Sequence, residues 1–167
     1  MIYKASMDTM AKVGTVAVTV LFAAIIYNLL QGVTDGNGPL YTITLIILGY
    51  FITYIYRPMG YTLTEKELVI KRPIGNVKIP RVSIAEVTPV RRGKIAWAIR
   101  TFGVGGVFGY YGSFYNFSIG RMTWYMTNLN NALLIKTSSG RKILISPDES
   151  ESFQLALHKI KSTQSSV

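Results

Sequence analysis

The chain has 167 residues, a net charge of +10 and no cysteine, which removes disulfides, thiolate metal sites and cysteine nucleophiles and gives no sign of an oxidising compartment. Two long apolar runs take the first third, so the roughly 110 residues from Arg57 onward suffice for one small domain with its own core and leave no room for a second. That part carries 16 Lys and Arg against 6 Asp and Glu, a balance that draws a domain to anionic surfaces.

The first apolar run, Val13 to Leu30, and the second, Leu40 to Tyr56, hold no charged side chain. At about 1.5 Å rise per residue each is just long enough to cross a hydrocarbon core about 30 Å thick, and within lipid a helix satisfies its own backbone hydrogen bonds. A transmembrane helical hairpin is therefore expected in an anchor spanning residues 1–58, with helices over residues 13–33 and 40–56 joined by Gln31 to Pro39. The first run exceeds the usual apolar stretch of a signal peptide and no small-x-small cleavage pattern follows it, which favours a retained span. Lys4 and Lys12 precede the first span, Arg57 follows the second, and the connector carries only Asp35. The positive-inside rule then puts both termini in the cytoplasm. Tyr41 and Tyr56 suit the interfaces, and Arg57-Pro58 closes the second span. Asn28, with Gly14, Ala17, Thr19, Ala23 and Ala24, suggests close packing within the hairpin with the amide at the interface. Neither span holds an ionisable group that would mark an ion path.

After Pro58 the pattern changes to short β-prone segments. Tyr61 to Leu63, Leu68 to Arg72, Val77 to Pro80 and Ala85 to Val90 read as four strands of an antiparallel meander, separated by Thr64 to Glu67, by Pro73-Ile74-Gly75-Asn76 and by the brief excursion Arg81 to Ile84. Asn131 to Thr137 and Arg141 to Ser146 form a hairpin around Ser138-Ser139-Gly140. A helix then begins with Ser146 as N-cap, Pro147 at the first position and Glu149 completing a capping box. Phe153, Leu157 and Ile160 make one apolar stripe on it, and its ends suit the helix dipole, with Asp148, Glu149 and Glu151 early and His158, Lys159 and Lys161 late. Residues 162–167 read as a flexible tail.

Between these halves, Phe102 to Gly120 holds six glycines and seven aromatic residues. Its glycines, Gly103, Gly105, Gly106, Gly109 and Gly112, with Tyr110, form a candidate structural signature. No Gly-Lys-Ser/Thr ends the run and no βαβ unit surrounds it, so it does not read as a phosphate loop. Two roles stay open. The segment closes the sheet as a tight turn and kinked strand, with Phe114, Phe117 and Ile119 in the core, or it presents an apolar tip to the headgroup region or to a partner.

The part beyond the membrane anchor resembles the bacterial pleckstrin-homology-like domains. The resemblance runs through Tyr61-Thr-Leu-Thr64, Leu68-Val-Ile70, Ile79-Pro80, Ile84-Ala-Glu-Val87, the glycine-rich Arg100 to Gly112, and Ile145-Ser-Pro-Asp148 followed by Phe153 and Leu157. It implies an α+β membrane protein: the helical hairpin, then, over residues 59–161, an antiparallel barrel or sandwich of about seven strands capped by the C-terminal helix. It also implies a bacterial inner-membrane location. The Lys-rich inositol-phosphate motif of eukaryotic relatives is matched only by Lys71-Arg72, Lys78 and Arg81 at different spacing, and the tryptophan of their last helix is replaced by Phe153.

From Lys71 to Lys142 there are twelve basic side chains and one acidic, Glu86. Lys71, Arg72, Lys78, Arg81, Arg91, Arg92 and Lys94 are the candidate surface for anionic lipid or a partner, since each cation near an anionic leaflet contributes roughly 1 kcal/mol. The single histidine and the scattered acidic residues offer no triad and no metal spacing, so no catalytic residue, metal or cofactor is expected. Nucleic acid is disfavoured because no recognition helix or RNA-module signature accompanies the charge. The function expected is a non-enzymatic, membrane-anchored module that engages the anionic inner leaflet or a protein partner. The alternative is a scaffold or accessory subunit of a membrane complex, or a homo-oligomer, that binds through a sheet edge or the glycine-aromatic segment.

Overall fold

A computed structural model describes residues 1–31 and 37–164, with side chains described through Leu157. Asp35, the end of the first expected span beyond Gln31, the tail beyond Gln164 and the side chains of His158, Lys159, Ile160 and Lys161 lie outside the described residues.

The chain opens with a strand that the sequence reading did not anticipate. Strand β1 (Ile2–Lys4) lies ahead of two long helices, α1 (Thr9–Gln31) and α2 (Gly38–Ile55). Both helices are long and apolar enough to cross a membrane, and their apolar stretches leave no residue buried inside the chain. A helix that is apolar all round and uncovered by its own protein is stable in a bilayer, not in water.

Three strands follow, β2 (Gly60–Leu63), β3 (Glu67–Lys71) and β4 (Val77–Pro80). With β1 they make an antiparallel sheet in the order β1-β2-β3-β4, in which Tyr3 sits opposite Tyr61. The expected meander ends here. A short 3-10 turn over Arg81–Ser83 redirects the chain, so β5 (Ile84–Pro89) leaves the first sheet and pairs with β9 (Leu133–Thr137).

The second sheet has the order β5-β9-β10-β8-β7-β6, with β6 (Ile99–Gly105), β7 (Tyr110–Asn116), β8 (Gly120–Met126) and β10 (Lys142–Ile145). A short helix, α3 (Arg92–Ile95), precedes β6. The described residues thus hold ten strands in two sheets, and β10 runs parallel to β8. The wholly buried runs Leu133–Ile135 and Ile143–Ile145 show why this sheet reads as continuous apolarity instead of alternation. One face joins Tyr61, Leu68, Ile70 and Phe153 in the main core. The other, which presents Phe114, Trp124 and Leu144, lies against Ala11 and Ile95 in a second core.

The last helix, α4 (Ser150–Gln164), caps the main core through Phe153 and Leu157. It starts three residues later than the capping box implies. Ser146 is buried, and its hydroxyl accepts the N–H groups of Thr127 at 2.9 Å and Asn128 at 3.1 Å. The Glu149 carbonyl receives the Phe153 N–H instead, while the Asp148 carboxylate accepts the Ser6 N–H at 2.9 Å and its hydroxyl at 2.6 Å. Tertiary partners therefore outcompete the local cap. The helix also continues through Ser162–Gln164, where a tail was expected to begin.

Candidate membrane-facing site

The inner ends of α1 and α2 are built into the β-structure. Asp8 accepts the Ala11 N–H at 2.8 Å, which caps α1, and its carboxylate also receives the Leu129 N–H at 3.1 Å and the Tyr110 hydroxyl at 3.1 Å. Burial, and then the Asp8 charge, raise the Tyr110 phenol well above its usual range, so it stays a donor. On the other helix the Tyr111 hydroxyl donates to the Thr53 carbonyl.

The glycine-aromatic segment accounts for the rest of the junction. Gly103 and Gly112 face each other across β6 and β7 with φ of 119° and 120°. A Cβ on either would lie 2.3 Å from a carbonyl oxygen of the opposite strand, so only glycine fits both the conformation and the space. At the tip, the Phe108 N–H donates to the Thr15 hydroxyl at 2.8 Å. Its ring packs edge-on against Tyr50 and Tyr54 of α2 at 5.2 and 5.5 Å. Gly14 permits this approach, because a Cβ there would meet the Gly106 carbonyl at 2.8 Å.

The first of the two readings describes the segment better, because its tip packs on the chain's own helices and does not stand exposed. Strands β6 and β7 extend the sheet, with Phe114 buried and stacked on Trp124 at 3.9 Å, and the tip docks on the helices. Phe117, expected in the core, is 84% exposed, and Ile119 is only half-buried. Asn28 also departs from expectation. Its amide donates to the Ala24 carbonyl of its own helix, and the bond between helices joins the Thr19 and Tyr50 hydroxyls at 2.6 Å.

The seven candidate cations fall into three groups. Arg81 is not on the surface: it is 8% exposed, and its guanidinium donates to the Thr64 carbonyl at 3.0 Å and to those of Ala156 and Leu157 at 3.3 Å. It ties α4 to the turn after β2, and burial lowers its pKa below the usual guanidinium value. Lys78 is exposed but offset by Glu67 at 3.4 Å. The others line the helix ends or lie near them. The Lys71 carbonyl accepts the Met59 N–H just past α2. The Arg72 guanidinium lies over the Tyr125 ring at 4.7 Å and the Tyr56 ring at 5.7 Å. Arg92 reaches the Met10 sulfur at the start of α1, and Arg91 and Lys94 are exposed beside it on the same short turn.

Sequence reasoning did not assign Lys12 and Arg57 to this site, although both had been noted as flanking charges. They line one cleft of about 340 Å³ at the helix ends, with Phe108. The Arg57 guanidinium lies over the Tyr54 ring at 4.4 Å. Asp8 was missed as well, since a lone aspartate before an apolar run gives no hint of distant partners. Among the described residues the only ion pairs are Lys78 with Glu67 and Lys136 with Glu86, so none of the cations at the helix ends is in direct contact with a carboxylate, and Asp8, at the same end of α1, is engaged by backbone N–H groups and the Tyr110 hydroxyl. No group of three His, Asp or Glu side chains converges among those residues. Such a surface can attract and hold anions.

No curated protein and no solved structure matches the chain. A family model described as Bacterial PH domain matches residues 59–160, the stretch from the first residues after α2 through most of α4. This chain therefore belongs to the bacterial PH domain family, with two membrane-capable helices ahead of the domain.

Proposed function

We propose that the protein is an inner-membrane binding module of a bacterial cell, with its β-structure and both termini in the cytoplasm, whose cationic juxtamembrane face engages anionic lipid. The observation that carries this reading is the placement of Lys12, Arg57, Arg72 and Arg92 against the inner ends of the two apolar helices, with no ion pair among the described residues. An anionic leaflet supplies the missing counter-charge, and roughly 1 kcal/mol per cation holds the domain down when several act together. Membership of a family of binding modules is consistent with a non-enzymatic role.

The test uses the full-length chain in lipid nanodiscs, with amide hydrogen exchange followed over residues 71–76 and 91–98. Protection is expected to rise with the fraction of phosphatidylglycerol, to fall with added salt and to vanish over residues 91–98 after Arg91→Glu with Arg92→Glu. Protection that ignores anionic lipid would overturn the reading. A C-terminal tag reachable from outside intact cells would overturn the orientation.

A further inference from the structure

A groove of about 600 Å³ separates the inner end of α2 from the face of strands β6, β7 and β8. Pockets of this size take small molecules or part of a lipid. Ile52, Thr53 and Tyr56 form the α2 wall, and Phe102, Val104 and Tyr125 belong to the opposite one. Among the described residues Arg72 is the single charged one lining it.

Three features describe an occupant. The α2 wall is the last turn of an apolar helix ended by Arg57-Pro58, so the groove opens where acyl chains meet headgroups. Phe102 is 80% exposed at the groove although it sits in a paired strand, which leaves an aromatic face without apolar cover. Arg72 is held between two rings, has no carboxylate partner among the described residues, and has its Nε buried without a hydrogen bond. A guanidinium already ordered in this way binds phosphate with little further loss of freedom.

We infer that the groove is a discrete site for one anionic glycerophospholipid, with its phosphate on Arg72 and an acyl chain along Ile52, Phe102 and Val104. This rests on the reading that the juxtamembrane face meets an anionic leaflet, and it adds a stoichiometric site to what is otherwise a diffuse attraction. The neighbouring cleft that holds Lys12 and Arg57 lies outside this site.

Native mass spectrometry of the full-length protein in mild detergent, titrated with phosphatidylglycerol or phosphatidylcholine, tests the site. The wild-type chain is expected to retain one phosphatidylglycerol in preference to phosphatidylcholine. Arg72→Gln should weaken that retention about tenfold or more, the loss of a charge-assisted contact, and Phe102→Ser should weaken it less. Arg91→Glu with Arg92→Glu should leave the single retained lipid in place while abolishing the nanodisc protection over residues 91–98. Equal retention of both lipids, or retention unchanged in Arg72→Gln, overturns the site even where the leaflet reading survives. A phosphatidylglycerol carrying a diazirine in its acyl chain provides a check on the unmutated protein. Crosslinks are expected in the peptides that contain Ile52 and Phe102, and crosslinks confined to the outer halves of the helices overturn the site.

Discussion

Arg81 and Arg72 are both cations at the edge of the first sheet, and their surroundings differ in every respect that matters. The region around Arg81 is closed. Three backbone carbonyls accept from its guanidinium, and the adjoining core holds Tyr61, Leu68 and Phe153 with no exposed surface. The region around Arg72 is open, with two aromatic rings to brace the side chain and a groove beside it. The same side chain is a structural tie where carbonyls surround it and a recognition group where they do not.

Replacing Arg81 by Ala should do the most damage. It removes the charged hydrogen bonds to the Thr64, Ala156 and Leu157 carbonyls that tie α4 to the turn after β2, at a cost of about 3 kcal/mol, and unfolding of the purified protein in mild detergent should show it. A loss below about 1 kcal/mol would mean that water replaces the guanidinium and that the region is not closed.

Alkaline pH probes the same interior. The Tyr61 hydroxyl donates to the Tyr125 carbonyl at 2.6 Å and accepts the Ser146 N–H at 2.9 Å, and burial pushes its pKa up to about 12. An acid whose pKa is higher in the folded state than in the unfolded one supports folding fully below the unfolded value, near 10. That support declines by about 1.4 kcal/mol per pH unit up to the folded value. Stability should therefore fall between pH 10 and 12 by about 2 to 3 kcal/mol from this group, with a shallower fall in Tyr61→Phe. Parallel curves for the two proteins would place the phenol in a wetter site.

Asp8→Ala should have an intermediate effect, about 1 to 2 kcal/mol, because the cap of α1 and the partners of Tyr110 and Leu129 are lost together. Hydrogen exchange should rise at the Leu129 amide and in the first turn of α1. The smallest effect on stability belongs to Arg72→Gln, under about 0.5 kcal/mol in the absence of lipid, as for other substitutions outside the packed core. A large loss there would make Arg72 a structural tie like Arg81 and erase the contrast.

The sequence disclosed the parts of the fold that local chemistry controls. The two helices, strands β2 to β4 and the β9–β10 hairpin follow from apolar runs and from turns such as Pro73-Ile74-Gly75-Asn76 and Ser138-Ser139-Gly140. Pairing across distance was not legible. Ile2-Tyr3-Lys4 is too short to show a period, and its partner Tyr61 comes after both helices. Strands β6 to β8 were hidden because glycines interrupt the alternation that would reveal them, and the parallel union of β10 with β8 has no local signature. Ser146 carried a convincing capping pattern that Thr127, Asn128 and Tyr61 override. At the candidate site, composition pointed to a cationic face but could not separate Arg81, enclosed by carbonyls of α4, from Arg72 on an open groove. Burial is decided by elements that lie far apart in the chain.

The pairing of Ile2–Lys4 with Gly60–Leu63 also imposes an order of events on assembly. The edge made first has to wait, unpaired, until two helices have been synthesised and its mate emerges beyond them. Because the two edges end side by side, helices inserted as the proposed function has them would have to cross the layer twice, and an insertion error that stranded one edge on the far side would leave the first sheet a strand short. Completion of that sheet would then report that the helical pair was threaded correctly.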